Sequence, residues 1–347
     1  MRARKVINVA HLDPAKASQY FAELMNSITL TEKDFFRPGC TTILNSDMAA
    51  MKRCYELIRE MKKKGKKLFE DPDFGPQSPG DAALGSICED EENPPFWITD
   101  PDCLTWLRPK EISKGERTYF LEDGAETGDV LQGDLGDCWF IGAMSVLATK
   151  DMYIRGEFNP TADKIEVIND QEVYGMKIGV YPPMFHWLRK YGLYVLRFFK
   201  NYAWRYVIID DRIPCYRYED QSTRIVFARC RSPTEMWVPL IEKAYAKIHN
   251  TYEALISGYL DDGLNDMTGL ASVKTKIADL IGDGTDREKI DRLWNNLKRY
   301  IEEGCLMGCS IQAGRGETEH ELVIDGERMG VLKGHAYSII DVFELPA

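Results

Sequence analysis

Residues 132–148 read Gln132-Gly133-Asp134-Leu135-Gly136-Asp137-Cys138-Trp139-Phe140-Ile141-Gly142-Ala143-Met144-Ser145-Val146-Leu147-Ala148, and this stretch decides the fold. Glycines at 133 and 136 permit a tight turn, and from Cys138 onward apolar side chains fall on nearly every side of a helical wheel, which predicts a helix buried all round. A thiol just inside such a helix meets unpaired backbone N–H groups and the positive end of the helix dipole, both of which stabilise a thiolate. The same N–H groups can hold the oxyanion of an acyl-transfer intermediate, and Gln132 offers a side-chain amide donor from the preceding turn. Taken locally, a structural thiol explains Cys138 as well, because free cysteine is among the most buried residue types. A partner base is what separates the two readings.

The chain has five His. His11 and His320 sit in polar text, His186 in an aromatic and basic segment, and His249 near the end of a helical stripe. His335, in Lys333-Gly334-His335-Ala336-Tyr337-Ser338, opens a strand-like apolar run directly after a glycine. Its ring can therefore project from a strand end into a cleft, while Gly334 leaves room for a substrate backbone. His335 is the best base for Cys138. The two lie on opposite sides of a boundary placed near Gly269, which suits a hydrolase whose site closes between two subdomains.

Composition narrows the class around this pair. A length of 347 residues suggests about two domains, each able to bury a core. With 44 Lys and Arg against 55 Asp and Glu, the net charge of −11 argues against a phosphate-backbone binder. No run of 18 apolar residues occurs, and Met1 to Ala10 lacks the apolar core of a signal peptide, so an intracellular, cytoplasmic location is expected. The nine Cys are odd in number and form no C-x-x-C pair, which points to reduced thiols and to neither a disulfide framework nor a standard zinc site.

Along the chain, Met48, Met51, Cys54, Tyr55, Ile58 and Met61 follow a cap at Ser46 or Asp47 and predict an amphipathic helix running into the lysines 62–64, 66 and 67. Residues 71–95 are rich in Pro, Gly and acids and read as a long surface excursion. Val173 to Val180 and Trp204 to Ile209 read as strands, and Glu235 to His249 as a helix with Met236, Trp237, Leu240, Ile241, Ala244, Tyr245 and Ile248 on one stripe. Residues 258–269 read as a polar link. Leu293, Leu297, Tyr300 and Ile301 mark a last helix, and Cys305 to Ile311 and Val331 to Phe343 read as two strand runs.

These residues also carry a resemblance. Gln132 to Trp139, Asp210-Asp211-Arg212-Ile213-Pro214, Glu235-Met236-Trp237 through Lys247, Tyr252-Glu253-Ala254-Leu255 and Lys333 to Ser338 together resemble the protease core of the calpain family, over roughly residues 65–345. The resemblance implies an α+β, papain-like cysteine protease core of two subdomains, a helical one bearing Cys138 and a β-rich one bearing His335. The expected division is an N-terminal helical extension over 1–64, the nucleophile subdomain over 65–269 and the general-base subdomain over 270–347. It further implies Gln132 in the oxyanion hole and Gly258 and Gly334 on the substrate backbone. The family's third member is an Asn in an Asn-Pro-Trp-Gly motif downstream of the His. Residues 336–347 contain no Asn, and Asn93-Pro94-Pro95 falls in the wrong subdomain. Since that Asn fixes the imidazole's tautomer, impaired activity is expected of this chain unless another group serves.

The resemblance also implies a calcium ion (Ca2+) in the first subdomain, held by backbone carbonyls of Glu122 and Gly124 and by the carboxylates of Asp129 and Glu235, a hard-oxygen set that suits calcium. The calcium residues of the second subdomain would lie past Ala347. Relative to the family, Pro182 to Lys200 is an extra aromatic and basic segment, expected either to dock on a cytoskeletal or membrane-surface partner or to pack on its own domain. The N-terminal extension, whose lysines at 62–64, 66 and 67 are either a solvated helix end or a contact for acidic lipid or an acidic partner, is the other place for such a partner. The leading expectation is a calcium-dependent intracellular cysteine endopeptidase core acting on protein substrates. The alternatives are a catalytically impaired homologue acting as a scaffold on cytoskeleton or membrane, and a transglutaminase-like acyl transferase using the same Cys and His.

Overall fold

The computed structural model of the chain describes residues 14–76, 84–122, 124–158, 165–168, 171–174, 176–177, 179–312, 320–324 and 326–344. Helix α1 (Pro14–Ser27) is followed by a short strand β1 (Ile43–Leu44) and by α2 (Asp47–Lys63). Ser46 caps α2 by accepting the Ala49 N–H at 3.2 Å, and Asp47 places an acid in its first turn, where the helix dipole favours one. Next come β2 (Leu104–Leu107), β3 (Val130–Leu131), α3 (Cys138–Ala148), β4 (Leu193–Lys200), β5 (Ala203–Asp210), β6 (Ile213–Arg217), β7 (Thr223–Ile225) and β8 (Arg229–Cys230). The chain continues through α4 (Trp237–His249), α5 (Leu260–Thr268), α6 (Arg287–Glu302), β9 (Met307–Ile311), β10 (His320–Ile324), β11 (Glu327–Lys333) and β12 (His335–Ile339).

The strands assemble into small antiparallel sheets, in the orders β1-β5-β4, β7-β6-β2, β8-β3, β9-β12 and β10-β11. Segregated helices and antiparallel strands make this an α+β fold, consistent with a papain-like core. Ile43 and Leu44 pair with Val207 and Tyr206, so the N-terminal segment closes one edge of the first sheet although it lies outside the family resemblance. The fully buried core runs from Met25 to Met267, and side chains from beyond Gly269, such as Leu306 and Ala336, lean on it half-buried.

Helix α4 lies at the centre of that core. Trp237, Leu240, Ile241, Ala244, Tyr245 and Ile248 are buried as the stripe predicts, but so are Glu242, Lys243 and Lys247 on the other faces. A charged group tolerates such a place only when its hydrogen bonds are made. Lys243 Nζ donates to Asp210 Oδ1 at 2.5 Å and to the carbonyls of Asp210 and Arg212 at 3.0 and 2.7 Å. Lys247 Nζ donates to Thr42 Oγ1, Asp71 Oδ2 and the Ile208 carbonyl at 2.5, 2.5 and 2.6 Å, tying the N-terminal segment, the 71–76 turn and β5 to one helix.

Several expectations are corrected. The stretch 71–95 is not a surface excursion throughout: Asp71, Phe74, Ile87 and Cys88 are buried, because Asp71 is the counter-ion of Lys247 and Phe74 packs edge-on to Trp106 at 6.2 Å. Residues 77–83 of that stretch lie outside the described residues. Of the two expectations for Pro182 to Lys200, packing on its own domain is the one seen. Phe185 and Leu188 are fully buried in a turn of 3-10 helix, and Leu193 to Phe198 are buried in β4, which pairs along its whole length with β5. Its aromatic content is core, with Trp187 left partly in solvent under Lys190. The polar link at 258–269 contains helix α5. Asp261 and Asp262 stand in its first turn, Gly269 ends it at φ 70°, and Gly263 lets it approach Ala143 and Phe140 of α3. The run Val331 to Phe343 breaks at Gly334, whose φ of 78° turns β11 into β12. The run from Val173 is divided between the pairs 165–168 with 171–174 and 157–158 with 176–177; residues 175 and 178 are outside the described set. Among the described residues no helix is long and apolar enough to cross a membrane.

Candidate active site

The turn before Cys138 is fixed on three sides. Gly133 sits against the backbone of Val226 and Phe227 so closely that a Cβ would overlap it, and the Asp134 N–H donates to the Val226 carbonyl at 2.9 Å. Arg224 grips the Asp134 carboxylate with two parallel bonds of 2.7 and 2.8 Å, a planar match that fixes orientation as well as distance. The Gly136 carbonyl accepts the Ser257 N–H at 3.2 Å. Trp139, the residue after the thiol, donates its indole N–H to the Leu255 carbonyl at 2.8 Å and lies face-on to Gly258. Gly258 is thus accounted for by the indole packed on it, since any side chain there would strike the ring.

Cys138 is the first residue of α3 and is partly exposed. The structure brings it to the start of β12: its Sγ lies 4.0 Å from the carbonyl oxygen of Gly334, the residue before His335. β12 runs back over α3, where Ser338 Oγ donates to the Gly142 carbonyl at 2.9 Å and Ala336 lies 3.8 Å from where a Gly142 Cβ would be. The small side chains of this crossing let strand and helix approach, and Leu260 of α5 fills the gap between Gly142 and Gly308 of β9. His335 pairs with Ile311 across the sheet and has the Tyr337 ring edge-on at 5.0 Å. Gln132, just after β3, donates one side-chain N–H to the Leu135 carbonyl at 2.8 Å, which holds its amide at the base of the same turn.

Several other thiols and rings are displaced from their ordinary range by burial. Burial pushes the Cys54, Cys215 and Cys230 thiols far up, and burial together with nearby acids takes Cys88 to about 11. His249 is held down to about 4, by burial first and then by Lys200 and Arg37, so it stays neutral against the Tyr245 ring. Burial also lowers His186.

The four expected calcium positions gather around one loop. The Glu122 N–H donates to Glu235 Oε1 at 2.8 Å, Tyr119 bridges to Glu235 in parallel, and Gly124 holds φ 109°. Asp129 Oδ2 accepts the Glu126 N–H at 3.0 Å, and the Asp129 carbonyl accepts the Arg231 N–H at 2.9 Å. Both carboxylates act on the buried Cys230 between them. Among the described residues no three His, Cys, Asp or Glu side chains converge as a metal-binding group. Two carboxylates with backbone carbonyls nonetheless fit calcium by donor type, because one N–H bond leaves a carboxylate with further lone pairs. The sequence reading missed Asp151, whose Oδ2 lies 3.7 Å from where a Gly124 Cβ would stand and which Arg155 pairs at 3.0 Å. It also missed a cleft of about 240 Å³ beside the loop, lined by Arg224, Arg229 and Arg231 with Leu131, Met236 and Glu235. Neither is visible in sequence, because their residues converge only through the β3-β8 pairing and the turn at 151.

The sequence matches the model of the calpain family cysteine proteases over residues 69–346. It is 32% identical over 290 residues to the calpain-type cysteine protease DEK1 of Arabidopsis thaliana, covering 81% of this chain and 11% of that protein. With Calpain-5 of Caenorhabditis elegans it shares 32% over 239 residues (68% of this chain, 32% of the relative), and with Calpain-9 of Rattus norvegicus 31% over 287 residues (82% and 33%). The chain thus spans a third or less of the length of these relatives. By the family match over most of its length, and by the thiol and strand that its fold brings together, the chain belongs to the calpain family as a cysteine protease core.

Proposed function

We propose that this core cleaves peptide bonds in protein substrates by covalent catalysis, with Cys138 as nucleophile and His335 as general base, and that calcium in the first subdomain supports it. The observation that carries the reading is the 4.0 Å approach of Cys138 Sγ, at a helix N-terminus, to the backbone immediately before His335. The imidazole takes the thiol proton and the thiolate attacks the scissile carbonyl. The oxyanion is held by first-turn N–H groups and by the Gln132 amide, while the imidazolium returns the proton to the leaving amine. Water then hydrolyses the acyl-enzyme by the same route. Gly334 and Gly258 flank the position where an extended substrate backbone would run.

Glu122, Gly124, Asp129 and Glu235 would hold the calcium ion. Bound there, it supplies a cation that pins the 122–129 loop to the start of α4, one short strand away from Gln132. Thiol labelling is a more direct readout than turnover, because it reports the nucleophile and its base without the later steps of the reaction. Mass spectrometry after brief iodoacetamide treatment should find Cys138 modified first, at a rate raised by calcium. Glu235→Gln should remove the calcium effect while leaving the labelling site unchanged. Modification shared evenly with the exposed Cys305 would overturn the nucleophile, and an identical calcium response in Glu235→Gln would overturn the metal site.

A further inference from the structure

Asp137 is the N-cap residue of α3, the place where an Asp side chain ordinarily accepts an N–H from the first turn. Here it makes no such bond. Its carboxyl is fully buried, and neither oxygen receives an N–H or O–H donor among the described residues. It faces instead the carboxyl of Glu242 on α4, buried as deeply, both of whose oxygens accept the Ala228 N–H at 3.1 and 3.0 Å. The remaining groups at this place are the buried Tyr252 phenol, which feels both carboxyls, and Cys138, next in the chain. No Lys, Arg or His among the described residues acts on either acid.

Two carboxylates cannot hydrogen-bond each other, and two buried like charges side by side repel in a medium that screens them poorly. One proton between them resolves both problems. Burial pushes Asp137 up to about 7, and burial together with Asp137 pushes Glu242 well above the ordinary carboxyl range, which agrees with the geometry. Resting on Cys138 as the nucleophile, we infer that Asp137 and Glu242 share one proton and act as a positioning pair for the nucleophile helix, drawing the N-cap carboxyl away so that the first-turn N–H groups stay aimed at the sulfur and the oxyanion. Neither residue touches substrate. A capping Asp137 would occupy those N–H groups with its own charge, and would place an anion against the thiolate.

Two near-isosteric variants pull this arrangement in opposite directions. Asp137→Asn removes the possibility of an anion beside Cys138. Glu242→Gln offers an amide N–H that fixes Asp137 as a carboxylate. The midpoint of the pH profile for Cys138 alkylation should therefore fall in Asp137→Asn and rise in Glu242→Gln, each by on the order of one pH unit for a unit charge at this range. Infrared spectroscopy of the wild type at about pH 8, far above the ordinary carboxyl range, should still show a protonated-carboxyl C=O stretch, and Glu242→Gln should lose it. The wild-type spectrum needs no variant to fold, and its lack of that band would overturn the shared proton. A band with coincident alkylation profiles in all three proteins would overturn the positioning role and leave a structural pair. A normal band with Cys138 unreactive at every pH would instead overturn the nucleophile assignment on which the inference rests.

Discussion

Replacing Lys247 by Met should destabilise the chain more than the same change at Lys243, and the bonds around each ammonium set the difference. Methionine keeps most of the buried stem, so the packing loss is small in both. What differs is the acid left behind. Without Lys247, the buried Asp71 carboxylate retains one donor among the described residues, the Asp73 N–H at 2.9 Å, and no cation in contact. Breaking a buried ion pair in this way costs about 3–5 kcal/mol. Without Lys243, Asp210 keeps the Arg212 side chain at 2.6–2.7 Å, the Arg212 N–H at 3.0 Å and the Asp71 N–H at 2.8 Å. Its charge stays compensated, and the loss is nearer that of hydrogen bonds to a charged group, about 1.5–3 kcal/mol. Urea unfolding at neutral pH should therefore separate the two variants by about 2 kcal/mol, with unchanged m-values. Lys247→Met with Asp71→Asn should recover a large part of the loss, because the orphaned charge is gone. Asp71 is already raised, by burial first and against the pull of Lys247. Removing the ammonium raises it further, so the folded variant holds a proton that the unfolded chain releases, and its deficit should shrink as pH falls from 7 toward the ordinary Asp value of about 3.9. Equal destabilisation of the two Met variants, or a double variant no better than Lys247→Met, would refute the reasoning.

Gly258→Ala should cost about 1–3 kcal/mol in thermal or urea unfolding, because the new Cβ drives into the Trp139 ring, 2.6 Å from Cδ2. Since Trp139 follows Cys138 and is held by Leu255, alkylation of Cys138 should slow several-fold as well; unchanged stability would mean that the 255–258 turn yields freely. In Asp210, burial acts to raise the carboxyl, but Lys243 and Arg212 outweigh it and hold it down to about 2. A depressed acid stabilises the fold above its unfolded value and loses that contribution as pH falls, so the acid limb between pH 3.8 and about 2 should contain about 2 kcal/mol from this residue. Asp210→Asn should flatten that limb relative to wild type, and parallel acid curves for the two proteins would argue against it.

Much of the fold was legible because its strongest local signals agree with its tertiary placement. The all-round apolar run after Cys138 is a helix buried all round, and the stripe at 236–248 faces the core. What was not legible follows from burial that composition hides. Glu242, Lys243 and Lys247 fall off the apolar stripe of α4, yet the helix is enclosed on that side by β5, the 71–76 turn and the segment at Ala228, each supplying a partner. The acids and prolines of 71–95 signal turns, but a turn residue such as Asp71 is drawn inward when a buried cation needs it. In Pro182 to Lys200 the aromatic residues lack alternation because both faces of β4 are covered, Tyr194, Leu196 and Phe198 being buried on one and Leu193, Val195 and Arg197 on the other. An apolar strand covered on both faces and an exposed apolar surface give the same text.

The site divides along the same line. Cys138, Gln132 and His335 stand out in sequence because each sits at a place with a local mark: a glycine turn opening a helix, a polar residue before it, a glycine opening a strand. The approach of Cys138 to the start of β12 needs β12 to cross α3, and that crossing depends on Gly142, Ala336 and Gly308 being small, a property without an obvious one-dimensional signature. Asp137 shows the opposite case. Its position before a helix is the most favourable one for a capping carboxylate, and local propensity predicts a cap. The structure turns that carboxyl toward Glu242, 105 positions further along, and a local preference is overruled where the chemistry needs the helix terminus left open. A broken capping rule next to a nucleophile is therefore itself a functional signal, since the stabilisation forgone at the N-cap, about 1 kcal/mol, is small beside what first-turn N–H groups contribute to an oxyanion, about 3–4 kcal/mol per donor.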